Sequence, residues 1–332
     1  MVRRGAGLCA AVLAGAGALA GAGADGPPAA AGAAAAWGGG ELPAANPALP
    51  AAGEALEPRC AETARAEAGG AGDAELEAAL EGTLLEAQNG TAHGHYCVQR
   101  LPGEAWTTFH SVPPMGNASL IFWGGGLVDS DAYAPFLRSA VQGFGARYAY
   151  LMTSPDGFPQ PAAEAAREIM RRDRSSGNVS SWVFGGHSMG GVMAAKAALS
   201  EDLGAAPGEV SVAFLGAYPD PRDLPALAAA VAAGNLTVGF VSGSNDHIVN
   251  GTALANAQAV LLGDGEAVLA REIPGGNHAG FGNYRRDFEL RPDGEAAIPP
   301  EEQQFFTLRA LSDFGFLPGQ PGMEGADFTG RR

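Results

Sequence analysis

Cysteine is scarce: the 332-residue chain holds three. That is too few for a disulfide scaffold or for a zinc site built on four thiolates. Basic side chains are also scarce, 20 against 36 acidic ones, for a net charge of −16. Nucleic acid and anionic membrane surfaces both repel such a chain, so neither is expected as a partner. Charged residues make up 17% of the sequence and apolar ones 46%, a balance that excludes global disorder. The 50 glycines follow no three-residue period, which excludes collagen. At about 100–200 residues per domain, the length fits one large α/β domain or two small ones.

The first 24 residues read as a targeting segment. Arg3 and Arg4 form a basic start, Gly5 to Ala24 carry no charge, and Ala18-Leu19-Ala20 supply the small residues of a cleavage site. An uncleaved anchor is the rival, weakened because the stretch is mostly Ala and Gly. A bipartite plastid leader is a third reading. Membrane contact is expected only if that segment is an uncleaved anchor. Within it, Gly15-Ala-Gly17-Ala-Leu-Ala20 loosely matches a dinucleotide fingerprint, but no strand precedes it, so no nucleotide cofactor follows. Residues 25–57 are rich in Ala, Gly and Pro and read as a linker. Residues 58–92 carry helix formers, 93–318 the main domain and 319–332 a flexible tail.

Five of the ten asparagines, Asn89, Asn117, Asn178, Asn235 and Asn250, stand in N-x-[ST], where composition yields about one by chance. Together with the leader, this excess predicts a glycosylated protein of the secretory route or the extracellular space, with a membrane-anchored lumenal form and a plastid as alternatives. Once Cys9 leaves with the leader, Cys60 and Cys97 remain and could pair in an oxidising lumen.

From about residue 94, short apolar runs alternate with helical patterns. Tyr96–Val98 and Thr107–Phe109 are weak strand candidates. Strands are expected at Ser119–Trp123, Arg147–Met152, Trp182–Phe184, Val210–Leu215, Leu236–Val241 and Ala267–Ile273. Helices are expected over Asp131–Gln142, Ala162–Arg172, up to Ser200, Leu224–Ala233, Ala253–Leu262 and Glu301–Phe314. Such alternation predicts a mostly parallel buried sheet with helices on both faces. The chemistry of such sheets lies beyond the carboxyl ends of the strands.

Gly186-His-Ser188-Met-Gly190 is a G-x-S-x-G match. In a chain of this composition about 0.3 such matches arise by chance, so context decides. The motif follows the strand Trp182–Phe184 and opens a helix, the setting that a strained nucleophile elbow needs. An idle serine in a Gly-rich turn is the bland reading. A serine hydroxyl needs a base. His278, in the loop after the strand ending at Ile273, is the candidate. His187 is expected to point away from the reaction, and His93-x-His95 lacks a third ligand for a metal. The base needs an acid to fix its tautomer. Asp246, after the strand Leu236–Val241, is preferred over Asp220, one strand earlier. For the oxyanion hole the backbone N–H groups of Met189 and of Gly126, or else Leu127, are expected.

Ile121-Phe-Trp-Gly-Gly-Gly-Leu-Val-Asp129 with Tyr133 and Pro135, the segment Gly185-Gly-His-Ser-Met-Gly-Gly-Val-Met193-Ala, Gly243-Ser-Asn-Asp246 and Gly275-Gly-Asn-His-Ala-Gly-Phe-Gly-Asn-Tyr284 resemble the "alpha/beta hydrolase family 5" type. So do Asp293-Gly-Glu-Ala296 and Glu302-Gln-Gln304. The resemblance runs from about Ser119 to Leu317. It implies an α/β-hydrolase fold and a Ser188/Asp246/His278 triad without naming a substrate. Gly124 departs from the family's frequent proline and Arg285-Arg286 from its frequent glycine.

The expectation is therefore a serine hydrolase without cofactor or metal, acting on a small carboxylic ester or related acyl bond. An acyltransferase on the same triad and a non-catalytic binding protein are the alternatives. No obligatory protein partner is evident. About twenty residues separate the strands ending at Leu215 and beginning at Leu236, leaving no room for a large cap and favouring short acyl chains.

Overall fold

The computed structural model describes residues 95–99, 104–112, 115–154, 157–262, 268–284 and 292–319. The leader, the linker, the helical segment 58–92, Cys60, Asn89 and all of the tail but Gly319 lie outside them. So, therefore, does the Cys60–Cys97 pairing.

Eight strands form one sheet: β1 His95–Gln99, β2 Trp106–Val112, β3 Ala118–Trp123, β4 Ala146–Met152, β5 Ser181–His187, β6 Val210–Leu215, β7 Leu236–Gly243 and β8 Val268–Ile273. Their order is β1-β2-β4-β3-β5-β6-β7-β8. β1 and β2 pair antiparallel, as do β2 and β4. From β4 across to β8 every pair is parallel. The two weak strand candidates thus form a hairpin on one edge. The parallel strands read as continuous apolar runs because they are covered on both faces.

Alternation along each strand sends side chains to opposite faces. Ile121 and Trp123 of β3 join Phe184 of β5 in one cluster, while Leu120 and Phe122 join Val183 in the other. On the first face lie α2 Ala163–Ser175, α3 Met189–Ala198, α4 Leu224–Ala232 and α5 Gly251–Leu262; on the second lie α1 Ala134–Gly143 and α6 Pro300–Asp313. Trp123, Trp182, Phe122 and Phe184 are fully buried, each worth roughly 1.5–3 kcal/mol against exposure.

Local sequence sets the helix ends. Expected from Asp131, the first helix begins instead as a 3₁₀ turn over Ser130–Tyr133, with the Asp129 carboxylate accepting the Asp131 N–H at 3.0 Å. It becomes α-helical at Ala134, where Pro135 fits because its missing N–H has no intrahelical partner there. Helix α3 is built from Gly and Ala on its buried side, Gly190, Gly191, Ala194, Ala195, Ala197 and Ala198. Small residues let its axis approach the sheet closely, directly behind the elbow. Between β6 and β7 only α4 is inserted, and no cap domain stands there.

Candidate active site

The last residue of β5 is His187 and the first of α3 is Met189; Ser188 between them is the whole turn. Its backbone lies at φ 54° and ψ −122°, a conformation that costs a non-glycine residue about 1–3 kcal/mol and persists only where the surroundings enforce it. Close packing enforces it here. A Cβ on Gly186 would meet the Gly190 carbonyl carbon at 2.3 Å, and one on Gly190 would meet the carbonyl oxygens of Trp123 at 2.2 Å and Gly124 at 2.4 Å. The Ser188 N–H donates to the Leu215 carbonyl at 3.0 Å, tying the turn to the end of β6.

Asp246 and His278 meet beyond the ends of β7 and β8, with Nδ1 of the imidazole 2.8 Å from Oδ2 of the carboxylate. Both side chains are almost fully buried, at 6% and 3% exposure for His278 and Asp246, so the pair is shielded from competing water. The other carboxylate oxygen, Oδ1, accepts the N–H groups of Ile248 and Val249, each at 2.9 Å, which fixes the plane of the acid. Gly216, at φ +50°, fits between β6 and this pair: a Cβ there would lie 3.1 Å from Asp246 Oδ2 and 3.2 Å from His278 Nδ1. The pair therefore abuts the residue next to Leu215, which holds Ser188.

Asp220 goes elsewhere. It binds Arg222 at 2.6 Å and lies 3.7 Å from Lys196, and the Arg222 hydrogen bond holds its pKa below the usual carboxylate range.

Of the N–H groups of Gly125, Gly126 and Leu127, in the loop after β3, two are committed. Gly125 donates to the Tyr133 hydroxyl at 2.8 Å and Leu127, at φ 64°, donates to the Gly157 carbonyl at 2.6 Å. The Leu127 N–H is thereby paired within the loops rather than left open. Gly126, between them, keeps its N–H uncommitted among the described residues. Met189 stands at the first position of α3, where an N–H has no intrahelical acceptor.

His187 does not point away from this region. Its ring centroid is 4.5 Å from that of His278 and 5.4 Å from that of Phe281. Its Nδ1 is 2.8 Å from the Tyr133 hydroxyl. Burial, and then the neighbouring His278, push its pKa well below the ordinary histidine value, so it is neutral. Among the described residues Nε2 meets no hydrogen-bond partner.

The His278 loop is fastened from behind by residues that sequence reasoning left without a role. Gln303 on α6 bonds both the N–H and the carbonyl of Asn277. The Asn277 side chain spans the Gly280 N–H and the Gly294 carbonyl, at 2.9 and 2.8 Å. Asp293 accepts the Ala279 N–H at 3.0 Å. Among the described residues no group of three or more His, Cys, Asp or Glu could hold a metal ion.

A mostly parallel sheet with an uncapped β6–β7 connection, a strained serine between strand and helix, and an acid–histidine pair beyond the ends of β7 and β8 define an α/β-hydrolase architecture. The Alpha/beta hydrolase family model matches residues 119–305, more than half of the chain, and this protein belongs to that family. Its family membership supports a hydrolase. No curated protein matches the sequence. Among solved structures, Thermogutta terrifontis esterase 2 phosphonylated by cyclosarin is similar at TM-score 0.46 and 14% identity, over 70% of this chain and 98% of the other. Its apo form is similar at TM-score 0.44 and 16% identity, over 69% and 97%. A predicted CIB-like hydrolase from Thermoplasma acidophilum is similar at TM-score 0.42 and 17% identity, over 66% and 100%.

Proposed function

We propose that this protein is a serine hydrolase of small carboxylic esters, working through an acyl-enzyme on Ser188 with His278 as base and Asp246 as its orienting acid. The observation that supports this most is the buried 2.8 Å bond between His278 Nδ1 and Asp246 Oδ2. With its Nδ1 proton held by the carboxylate, His278 has Nε2 unprotonated and able to accept.

The reaction then runs in two halves. Ser188 Oγ attacks the ester carbonyl as its proton passes to His278 Nε2. The oxygen that becomes negative is met by the N–H groups of Met189 and Gly126, and Met189 adds the positive end of the α3 dipole. His278 returns the proton to the leaving alcohol, and the acyl group stays on Ser188. Water, activated by the same imidazole, then releases the carboxylic acid. The short β6–β7 connection favours acyl groups of roughly two to six carbons, since a long chain gains ~0.8 kcal/mol per CH₂ only where apolar surface covers it. Rates on acetyl, butyryl, octanoyl and palmitoyl esters test the reading. Turnover that falls beyond butyryl supports it, and a steady rise in kcat/KM out to palmitoyl contradicts the open cleft.

A further inference from the structure

We infer that Tyr133 is a positioning residue for the oxyanion-binding loop and that His187 orients its hydroxyl; this rests on the hydrolase reading above. Tyr133 is fully buried, and its ring fills the space that side chains on Gly124, Gly125 and Gly282 would need. A Cβ on these would lie 2.8, 2.9 and 2.9 Å from Tyr133 atoms. The hydroxyl accepts the Gly125 N–H, so its own proton has one remaining partner, His187 Nδ1. A phenol donating to Nδ1 requires the imidazole proton on Nε2, and the tautomer follows from the network. The chain Gly125 N–H to Tyr133 to His187 anchors one side of Gly126 while the Leu127 bond to Gly157 anchors the other. Between two fixed peptides the Gly126 N–H has one direction to face.

The hydroxyl is buried between Gly125 and His187, so its removal should act through the loop, on the transition state alone. Tyr133→Phe is expected to lower kcat about 10- to 100-fold, with KM changed less than about twofold. A boronic acid that forms a tetrahedral adduct should lose affinity by a similar factor, while the product carboxylate should not. His187→Asn, which keeps an acceptor near the Nδ1 position, should recover most of the loss seen in His187→Phe. Ring ¹⁵N shifts of the wild-type protein should show His187 protonated on Nε2 whatever the protein hydrolyses. Unchanged kcat in Tyr133→Phe, a loss confined to melting temperature, or a wild-type Nδ1–H tautomer would each overturn the inference. Absence of any wild-type ester turnover would instead count against the hydrolase reading, and the ¹⁵N shifts would still decide the tautomer.

An independent pattern concerns the sequons, and from it we infer that Asn117, Asn178 and Asn235 are N-glycan acceptors. Each follows a left-handed glycine, Gly116, Gly177 and Gly234 at φ +73°, +71° and +71°; Asn117 and Asn235 directly precede β3 and β7, and Asn178 precedes β5 by three residues. These strands are parallel, so the three asparagines share the amino edge of the sheet, opposite Ser188. All three are exposed. Nδ2 of Asn117 donates to Ser180 Oγ at 3.0 Å and Nδ2 of Asn178 to the Ser176 carbonyl at 2.8 Å, both at the exposed surface; Asn250 differs in being half-buried on the carboxyl edge, where its Oδ1 caps the Ala253 N–H at 3.1 Å. In the transfer, Nδ2 gives up a proton and bonds to the anomeric carbon of a lipid-linked oligosaccharide, whose pyrophosphate leaves with the electron pair. The full chain, secreted from a eukaryotic host and treated with an amide-cleaving glycosidase in ¹⁸O water, should show labelled aspartate at positions 117, 178 and 235 and none at 250. Fewer than two of the three labelled, or retention of the chain without glycan, overturns the assignment.

Discussion

Gln303 holds Asn277 by both of its peptide groups: Oε1 accepts the N–H at 2.9 Å and Nε2 donates to the carbonyl at 2.7 Å. The glutamine is fully buried, so water cannot replace it. Asn277 directly precedes His278, and this grip fixes where the imidazole leaves the backbone. Gln303→Leu leaves two buried backbone groups unpaired, each costing about 1–3 kcal/mol. A lower melting temperature and a fall in kcat are expected together. Wild-type values for both in Gln303→Leu would show that the loop holds its shape without α6.

The elbow predicts its own intolerance. At Gly190 a methyl group would press on two backbone carbonyl oxygens, which cannot swing aside as a flexible side chain could. Gly190→Ala should cost about 1–3 kcal/mol or more of stability and remove activity by shifting Ser188 against the sheet. Gly177→Ala is a useful contrast, since its Cβ meets nothing within 4 Å. Its penalty should come from the positive φ alone, with activity preserved. Denaturant titration and ester turnover on both variants check this.

Far from the site, Asp173 on α2 is buried, accepting from the Tyr150 hydroxyl at 2.5 Å and Trp182 Nε1 at 2.9 Å. Burial pushes its pKa up to about 6 from an ordinary 3.8, against those hydrogen bonds. The folded form therefore binds the proton more tightly than the unfolded form. The stability that this group supplies is complete below about pH 3.8 and is lost as the pH rises through about 6, by on the order of 3 kcal/mol. Asp173→Asn should remove that dependence. Unfolding free energies of both proteins at pH 5 and pH 7.5 should differ between them in slope, with the wild type declining relative to the variant. Parallel curves would show that Asp173 stays ionised across the window.

Much of the fold could be read along the chain, and the reason is local. Strands such as Ser119–Trp123 and Val210–Leu215 are unbroken apolar runs because both faces of the sheet are covered, and Gly clusters mark the turns at their ends. The turn at Ser188 is legible because a strand, a serine near glycines and a helix follow one another within a dozen residues. The placement of Asp246 and His278 beyond β7 and β8 follows from strand order. What could not be read are contacts between distant segments: Tyr133 with His187 lies 54 residues apart and Gln303 with Asn277 lies 26 apart. Neither pairing leaves a periodic trace. Nor does the sequence around Leu127 show that its N–H pairs with the Gly157 carbonyl, 30 residues on.

The most direct test is covalent labelling with a fluorophosphonate, followed by mass analysis of the peptide containing residue 188. One adduct is expected, on Ser188, absent from a folded Ser188→Ala protein, and much slower to form in His278→Gln. An adduct on a different residue, or undiminished labelling of folded Ser188→Ala, would contradict the Ser188 assignment.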